Sequence, residues 1–344
     1  MGKNSFAFIL CAAAVSVYAA VPADGLVAYY PCSGSVANLA GTDLGKDTAV
    51  NVTFANDRFG NAESACAFDG ETSYFSVPDN DAFSIVTAKA LTVSVWISPD
   101  TLDFKVADDG CYVNFLGKGT SGEQEWTLRM YSHDLSGCTA TSDTNRHNRI
   151  SAYAFNLAGG LGSGSYWQGS LETPKDTVST GGWVHIVARY DMAGNTIRIY
   201  KNAVKKDEDA LNESEYNVVQ ENGTAPLRAG TRSLWTFFKG RIDDLRLYSR
   251  ALSDDEISAL YSESDPAESI RAAAARGADA FRASGIVSAG ADGYIQMHFP
   301  AGKERAGALY SLDGRRVKEF RVAKGAAAAI IRAPAPGAYL FRIH

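Results

Sequence analysis

The chain has 344 residues, of which 46% are hydrophobic and 21% charged, an ordinary globular composition that excludes wholesale disorder. Its formal net charge is −6, so it lacks the basic face of a general nucleic-acid binder, and no nucleic-acid partner is expected. At this length roughly two or three domains are expected.

The N-terminus sets the compartment. Lys3, the apolar run 6–17 and the small-x-small pattern Val17-Tyr18-Ala19 predict a secretory signal over residues 1–19, cut after Ala19 or Ala20. The run is too short for a membrane span, and no other stretch is apolar enough to be one. Cys11 lies inside this signal, and Leu10 before it fits a lipoprotein cleavage site poorly. The mature chain keeps Cys32, Cys66, Cys111 and Cys138. An even count in an exported chain favours disulfides, and the spacings lack the close C-x-x-C pairs of zinc sites. Other pairings are open, but neighbours in sequence, Cys32–Cys66 and Cys111–Cys138, are the expected ones.

Residues 25–32 (GLVAYYPC) read as an aromatic strand, and 33–57 as a polar loop. Residues 65–77 (ACAFDGETSYFSV) read as a hairpin turning at Asp69-Gly70, with Phe68 and Val77 inward. Residues 91–97 (LTVSVWI) alternate, with Val93 and Val95 on one face and Trp96 on the other; Pro99 ends the run. Strands at 112–116 and 126–131 follow, separated by the polar stretch 117–125, with Cys111 and Cys138 placed to staple their open ends. A strand at 149–156 leads into a Gly-rich stretch, 157–168, expected to be a loop that exposes Tyr166 and Trp167. Residues 183–191 (WVHIVARYD) and 196–201 (TIRIYK) form a hairpin, and Val204 starts a return strand. In 240–261 (GRIDDLRLYSRALSDDEISALY), Ile242, Leu245 and Leu247 supply the apolar face of a strand. Ser253 with Glu256 reads as a capping box opening a helix whose stripe is Ile257, Leu260 and Tyr261. Many short strands closed by one helix predict an all-β, two-sheet antiparallel sandwich or jelly roll over residues 20–264. An Ala/Arg/Glu-rich linker, 265–285, precedes a second, small β-sandwich-like domain at 286–344.

Seven separated blocks carry a resemblance: GLVAYYPC, DRFGN, FDGETSYFSVPD, LTVSVWISP, GWVHIVARYD, IRIYKN and GRIDDLRLYSRALSDDEISALY. In that order, over about residues 24–262, they resemble laminin G-like, concanavalin A-like jelly-roll domains of bacterial secreted proteins. The resemblance implies two face-to-face antiparallel sheets, one concave, a mostly non-catalytic role, and carbohydrate or protein ligands, with calcium in some members. The tail, LYSLDGRRV followed by APGAYLFRI, is similar to C-terminal sorting domains of the type IX secretion pathway. That similarity implies export across the outer membrane, then release or surface attachment.

For chemistry, the glucanases of this fold present Glu-x-Asp-x-x-Glu on a strand, because retaining hydrolysis needs two carboxylates about 5 Å apart. No such motif is present, so no enzyme is expected; Glu123 and Glu125 are the nearest approach, with a solvated hairpin end as the blander reading. His185 reads as a structural strand histidine. Sugar rings stack their C–H faces on exposed aromatics while polar neighbours take the hydroxyls. On that chemistry Tyr166, Trp167 and Gln168 are the candidate ligand contacts, with Trp126 beside them and Trp235, Phe237 and Phe238 as alternatives. Trp96 and Trp183 are expected in the core. The family resemblance suggests structural calcium near Asp243 in the last strand, with Asp24 and Asp69 as partners and a hydrogen-bonded turn carboxylate as the competing reading of Asp243. A secreted or cell-surface binding module for glycan, cell-surface polysaccharide or protein is the expectation, with a divergent glycoside hydrolase as the lesser alternative.

Overall fold

The computed structural model describes residues 21–104, 111–133, 149–159, 162–167, 178–212, 220–265, 285–288, 294–298, 305–310, 316–324, 328–332 and 338–343. The expected signal (1–19), most of the linker, Cys138 and Gln168 lie outside the described residues.

The strands are β1 (Leu26–Tyr30), β2 (Thr48–Val50), β3 (Thr53–Ala55), β4 (Ala65–Asp69) and β5 (Tyr74–Val77). A short helix, α1 (Ile85–Ala88), precedes β6 (Ala90–Pro99), β7 (Tyr112–Thr120), β8 (Glu123–Tyr131), β9 (Ile150–Phe155) and β10 (Gly162–Trp167). Then come β11 (Val184–Asp191), β12 (Thr196–Lys201), β13 (Val204–Ala210), β14 (Leu227–Ala229), β15 (Lys239–Tyr248) and the helix α2 (Asp254–Tyr261). They build two antiparallel sheets. The first has the order β13-β12-β11-β6-β15-β4-β3, with β1 also paired to β15; the second has the order β10-β9-β8-β7-β14-β5-β2. This is the expected all-β jelly-roll sandwich.

The alternating residues of each strand explain the packing. Val93, Val95 and Ile97 of β6, Ile242, Leu245 and Leu247 of β15, and Phe115, Leu128 and Ile150 of the second sheet meet in one core between the sheets. A second cluster, Val187, Tyr200, Tyr248, Leu252, Ile257 and Leu260, packs α2 onto the outer face of the first sheet. The helix opens as expected. Ser253 Oγ accepts from the Glu256 N–H at 3.2 Å, and the Glu256 carboxylate accepts from the Ser253 N–H at 2.8 Å. Cys32 and Cys66 form the expected disulfide, with Cα atoms 5.2 Å apart. Cys111 is disulfide-bonded as well.

Three expectations are corrected. Strands β4 and β5 are no hairpin: β4 pairs with β15 in the first sheet and β5 with β14 in the second, so the Asp69-Gly70 turn carries the chain from one sheet to the other. Phe68 and Val77 still face the core. The polar stretch 117–125 is mostly strand, because β7 and β8 stay paired as far as Thr120 and Glu123. The supposed loop of 33–57 contains β2 and β3.

The C-terminal strands are β16 (Gly285–Ser288), β17 (Tyr294–His298), β18 (Arg305–Tyr310), β19 (Arg316–Val322), β20 (Ala328–Arg332) and β21 (Ala338–Ile343). Four form a sheet ordered β16-β21-β18-β19, and β17 pairs with β20. Their core is small, Ile295, Leu309 and Ile331 with Val317, Phe320 and Phe341 against it, as the Ala-rich sequence there suggests.

Candidate functional site

Strand β10 is where the structure departs most usefully from the sequence reading. The stretch GSGSYW is not a loop but the edge strand of the second sheet, paired antiparallel to β9 along its whole length. Ser163 and Ser165 are buried and stand opposite the core residues Ala154 and Ala152. Gly162, Gly164 and Tyr166 therefore face outward, opposite Phe155, Tyr153 and Ser151. The two glycines are required by close approach: a Cβ at Gly162 would meet Tyr153 Cζ at 2.7 Å, and one at Gly164 would meet Tyr153 Cε2 at 3.0 Å.

This outer face is laid with alternating arginines and rings. The Arg129 guanidinium lies between the rings of Tyr112 and Tyr153, 4.0 and 4.1 Å from their centroids. Its Nε donates to Ser151 Oγ at 3.1 Å. Arg149 covers the ring of Tyr166 at 4.0 Å, and Arg232 covers Phe155 at 4.5 Å while donating to Gln124 Oε1 at 3.1 Å. Stacking of this kind holds a planar guanidinium in place with its N–H groups directed sideways. Tyr166 itself stays 43% exposed, and its backbone N–H donates to the Asp207 carboxylate at 2.9 Å.

One register row crosses the face. Tyr166 pairs with Ser151, Ser151 with Arg129, and Arg129 with Asn114. From β10 to β7 that is three strand spacings, about 14 Å at about 4.8 Å each. At the β7 end the row meets the loop 231–236, where Thr236 Oγ1 accepts from the Asn114 N–H at 3.2 Å. The loop is internally tied: Thr231 Oγ1 donates to the Thr236 carbonyl at 2.7 Å, the Leu234 N–H donates to Thr231 Oγ1 at 3.2 Å, and Arg228 donates to the Arg232 carbonyl at 2.6 Å. These bonds hold Leu234 at φ +65°, in a left-handed region that costs a branched residue on the order of 1 kcal/mol or more. The next residue, Trp235, is 66% exposed. Within the row Tyr166 is open, Arg129 is partly exposed, and Ser151 and Asn114 are buried.

The remaining candidates go elsewhere. Trp126 is fully buried among core residues, and its indole N–H donates to the Phe83 carbonyl at 2.8 Å, so it offers no surface to a ligand. Trp167 stands opposite Ile150 in the register of β10; its side chain and Gln168 lie outside the described residues. Trp96 is buried as expected, but on the outer face of the first sheet, stacked 5.6 Å from Tyr261. Glu125 is buried against the Lys118 ammonium and accepts from the Gly223 N–H at 3.1 Å; burial raises its pKa above the ordinary value despite Lys118. Glu123 accepts from the Thr224 N–H at 2.7 Å. Both carboxylates hold the 223–224 backbone in place.

The three aspartates considered for calcium are not brought together. Asp69 stands opposite Lys239 at the start of β15, and Asp24, its side chain 93% exposed, lies 3.3 Å from Arg250 beyond the other end of that ten-residue strand. That separation is about 30 Å at about 3.3 Å per residue. Against burial that raises it, the N–H groups of Thr72, Glu71 and Ser73 hold the Asp69 pKa well below the usual carboxylate range. Asp243 lies between them, 2.7 Å from the Arg58 guanidinium. Among the described residues no group of three or more His, Cys, Asp or Glu is arranged to hold a metal ion.

What surrounds Asp243 is a buried ionic cluster that the sequence reading missed. A β-bulge between Asp243 and Arg246 puts Asp243, Asp244 and Arg246 together on the outer face of the first sheet, with Asp244 at φ +46°. Arg58 bridges both aspartates. Arg246 bonds Glu263 at 2.9 Å and Asp244 at 3.3 Å, and the Tyr29 hydroxyl donates to Asp244 at 2.6 Å. His185, bonded to Ser94 at 2.8 Å, lies beside the cluster. Burial, then the charges of Arg246 and Arg58, lowers its pKa to about 3, so it is a neutral packing residue, as expected.

Residues 69–258 match the family model Laminin G 3, described as the concanavalin A-like lectin/glucanases superfamily. Domain 4 of AbnA, an extracellular GH43 arabinanase from Geobacillus stearothermophilus, in complex with arabinotriose, is 19% identical over 69% of this chain and 98% of that one, with a TM-score of 0.46. The binding domain of botulinum neurotoxin DC, in complex with rat synaptotagmin II, is 10% identical over 70% of this chain and 51% of that one, with a TM-score of 0.51. The binding domain of Paraclostridial Mosquitocidal Protein 1 is 16% identical over 83% of this chain and 61% of that one, with a TM-score of 0.50. The chain spans about half the length of the neurotoxin domain, and at these identities the likeness is one of fold. No curated protein matches it.

Proposed function

The chain belongs to the concanavalin A-like lectin/glucanases superfamily, and we propose that it acts as a non-catalytic glycan-binding module whose ligand lies on the outer face of the second sheet. The observation that carries this reading is the exposed ring of Tyr166 on the edge strand β10, with Trp235 a second exposed aromatic on the loop 231–236. Exposed rings stack on the C–H faces of sugars, and polar groups beside them take the hydroxyls. Glu123 and Glu125, engaged with the 223–224 backbone and Lys118, support a binding role over a hydrolytic one.

The same reading places the protein outside the cell. The N-terminal run 6–17 and the Cys32–Cys66 disulfide support export, and residues 286–344 serve as a sorting or anchoring domain for the outer surface. Affinity per site is modest, and display in many copies supplies avidity.

A broad glycan array with the intact protein tests the binding role. Retention of at least one glycan class, weakened in Tyr166→Ala and in Trp235→Ala, is expected. Retention of none, or retention indifferent to both substitutions, overturns the assignment. Deleting residues 286–344 and following export tests the tail: normal secretion and surface display of the truncated protein would count against sorting.

A further inference from the structure

Lys118 is fully buried in β7, a place where lysine is almost never found unless paired. Its register partners, Leu227 in β14 and Trp126 in β8, are fully buried core residues. Its Nζ meets the Glu125 carboxylate, the Asp79 carboxylate at 2.7 Å and the Gly223 carbonyl at 2.9 Å. We propose that Lys118 and Asp79 condense in the folded protein into an intramolecular amide, a covalent link between the end of β5 and β7, with Glu125 carrying the protons.

Four observations carry this. First, the reacting atoms are close. Nζ lies 2.7 Å from Asp79 Oδ1, and Cγ is one bond of about 1.2 Å further on, so Nζ and Cγ are at most about 4 Å apart. Groups held at about 3–3.5 Å in the right orientation react as though present at about 10⁵–10⁸ M, and a small closing movement reaches that range. Second, the strands hold both partners. Val77, Leu227 and Lys118 form one register row across β5, β14 and β7, and Asp79 follows Val77 after Pro78, whose ring fixes its φ. Third, a proton carrier is in place. Glu125, its side chain 2% exposed, bonds the same Nζ, and burial raises its pKa against the pull of Lys118. The Gly223 N–H fixes that carboxyl at 3.1 Å while the Gly223 carbonyl orients Nζ. Fourth, the product suits the site. The amide is neutral, so condensation ends the desolvation of the ammonium, a cost that a buried ion pair does not always recover. Asp79 is the acyl partner rather than Glu125, because its side chain is 32% exposed and leaves the departing water a way out.

The step balances without a co-reactant. One proton passes from the Lys118 ammonium to the Asp79 carboxylate, leaving an amine and a carboxylic acid. The amine lone pair attacks Cγ, forming the Nζ–Cγ bond as the C=O electron pair moves onto oxygen. Nζ then gives up a second proton, which Glu125 carries to the hydroxyl oxygen. The C–O bond breaks with its electron pair on that oxygen, water leaves, and the C=O re-forms. Nothing is oxidised or reduced, and the chain is lighter by one water. Without Glu125 the ion pair stays unreacted.

Peptide mapping of the intact, exported protein tests this. After reduction of the disulfides, trypsin cuts at Arg58, Lys89 and Arg129 but cannot cut at an acylated Lys118. Most molecules are expected to yield peptide 59–89 joined to peptide 106–129, lighter by one water than the two together, with fragmentation placing the link at Asp79 and Lys118. Free peptides 59–89 and 106–118 in most molecules overturn the inference, and a link from Lys118 to Glu125 overturns the choice of Asp79. Asp79→Ala changes a partly exposed side chain and is expected to abolish the link while circular dichroism shows the fold kept; a link that persists overturns the inference. Glu125→Gln is expected to cut the linked fraction of freshly made, folded protein by about tenfold or more. An unchanged fraction overturns the part given to Glu125. The wild-type digest decides the link itself even where a variant fails to fold.

Discussion

The ring of Tyr153 lies against the backbone of Gly164, close enough that a Cβ there would meet Tyr153 Cε2 at 3.0 Å. The contact locks an edge strand to its neighbour and sets the ring against which Arg129 stacks at 4.1 Å. Gly164→Ala should therefore force the ring aside. Overpacking of this kind costs about 1–3 kcal/mol, read as a lowered denaturation midpoint. The displaced ring should also weaken any ligand that uses Arg129. An unchanged midpoint would mean that the ring gives way without cost. Gly122, at φ +78° with nothing near its missing Cβ, is a control: Gly122→Ala strains the backbone and meets no ring.

That contact also shows where sequence reading succeeds and where it stops. Val93, Val95 and Ile97 alternate through β6 and announce a core face, and the Ser253/Glu256 box announces a helix; both signals are local in sequence. GSGSYW has a period of two, but small residues hide which face is buried, because the reason for Gly162 and Gly164 is a ring on the neighbouring strand. Asp69-Gly70 has the chemistry of a hairpin turn, and nothing within it reveals that β4 and β5 belong to different sheets. Trp126 and Trp235 look alike in sequence, and only the fold separates a core indole in β8 from an exposed one on the loop 231–236. The bulge in β15 did leave a trace: Ile242 and Leu245 both face the core although three residues apart, a parity that a regular strand forbids. Arg58 left none, since its partners lie 185 and 186 residues away.

The cluster around Arg58 predicts an unusual pH dependence. Asp243, Asp244 and Glu263 face Arg58 and Arg246 in a buried site, three carboxyl groups against two guanidinium groups, so one carboxyl retains a proton near neutrality. Burial, then the charge of Asp244, pushes the Asp243 pKa up to about 8 against Arg58. Asp244 goes the other way: against burial, Arg246 and Arg58 hold it below its ordinary value. A carboxyl whose folded pKa is raised stabilises the fold fully below its unfolded pKa of about 4, and that contribution is lost as pH rises through about 8, at up to about 1.4 kcal/mol per pH unit. Asp243→Asn, which mimics the protonated form, should cost little near pH 5 and should flatten the decline of stability toward pH 8. Denaturant titrations of both proteins across that range measure it, and parallel slopes would show that Asp243 is ionised throughout.

Removing the cation is a different matter. Arg58→Ala leaves Asp243 and Asp244 buried beside each other, with Arg246 and the Tyr29 hydroxyl still bonded to Asp244. Breaking a buried pair from one side costs about 3–5 kcal/mol. Because Arg58 ties the loop before β4 to the last strand of the sandwich, that loss should appear in global unfolding. A cost below about 1 kcal/mol would place the cluster among exposed pairs.

Lys118 and Glu125 decide whether the nearest carboxylates to a hydrolytic pair do chemistry or structure. Lys118 is fully buried, bonded to Glu125, to Asp79 at 2.7 Å and to the Gly223 carbonyl at 2.9 Å. Glu125→Ala leaves the ammonium with Asp79 and the Gly223 carbonyl alone and the buried Gly223 N–H without its acceptor, and should cost about 1–3 kcal/mol. Replacing both partners, Lys118→Met with Glu125→Gln, removes the buried charge pair and should recover part of that loss, which a double-mutant cycle measures. In a retaining hydrolase the two acidic groups face each other across a bond to be cleaved. Here Glu125 faces a lysine, and Glu123 takes the Thr224 N–H. Glu125→Gln is accordingly expected to lower the denaturation midpoint and leave glycan retention on the array unchanged. A wild-type protein that cleaves an array glycan, with cleavage abolished in a Glu125→Gln variant of unchanged midpoint, would reverse the assignment.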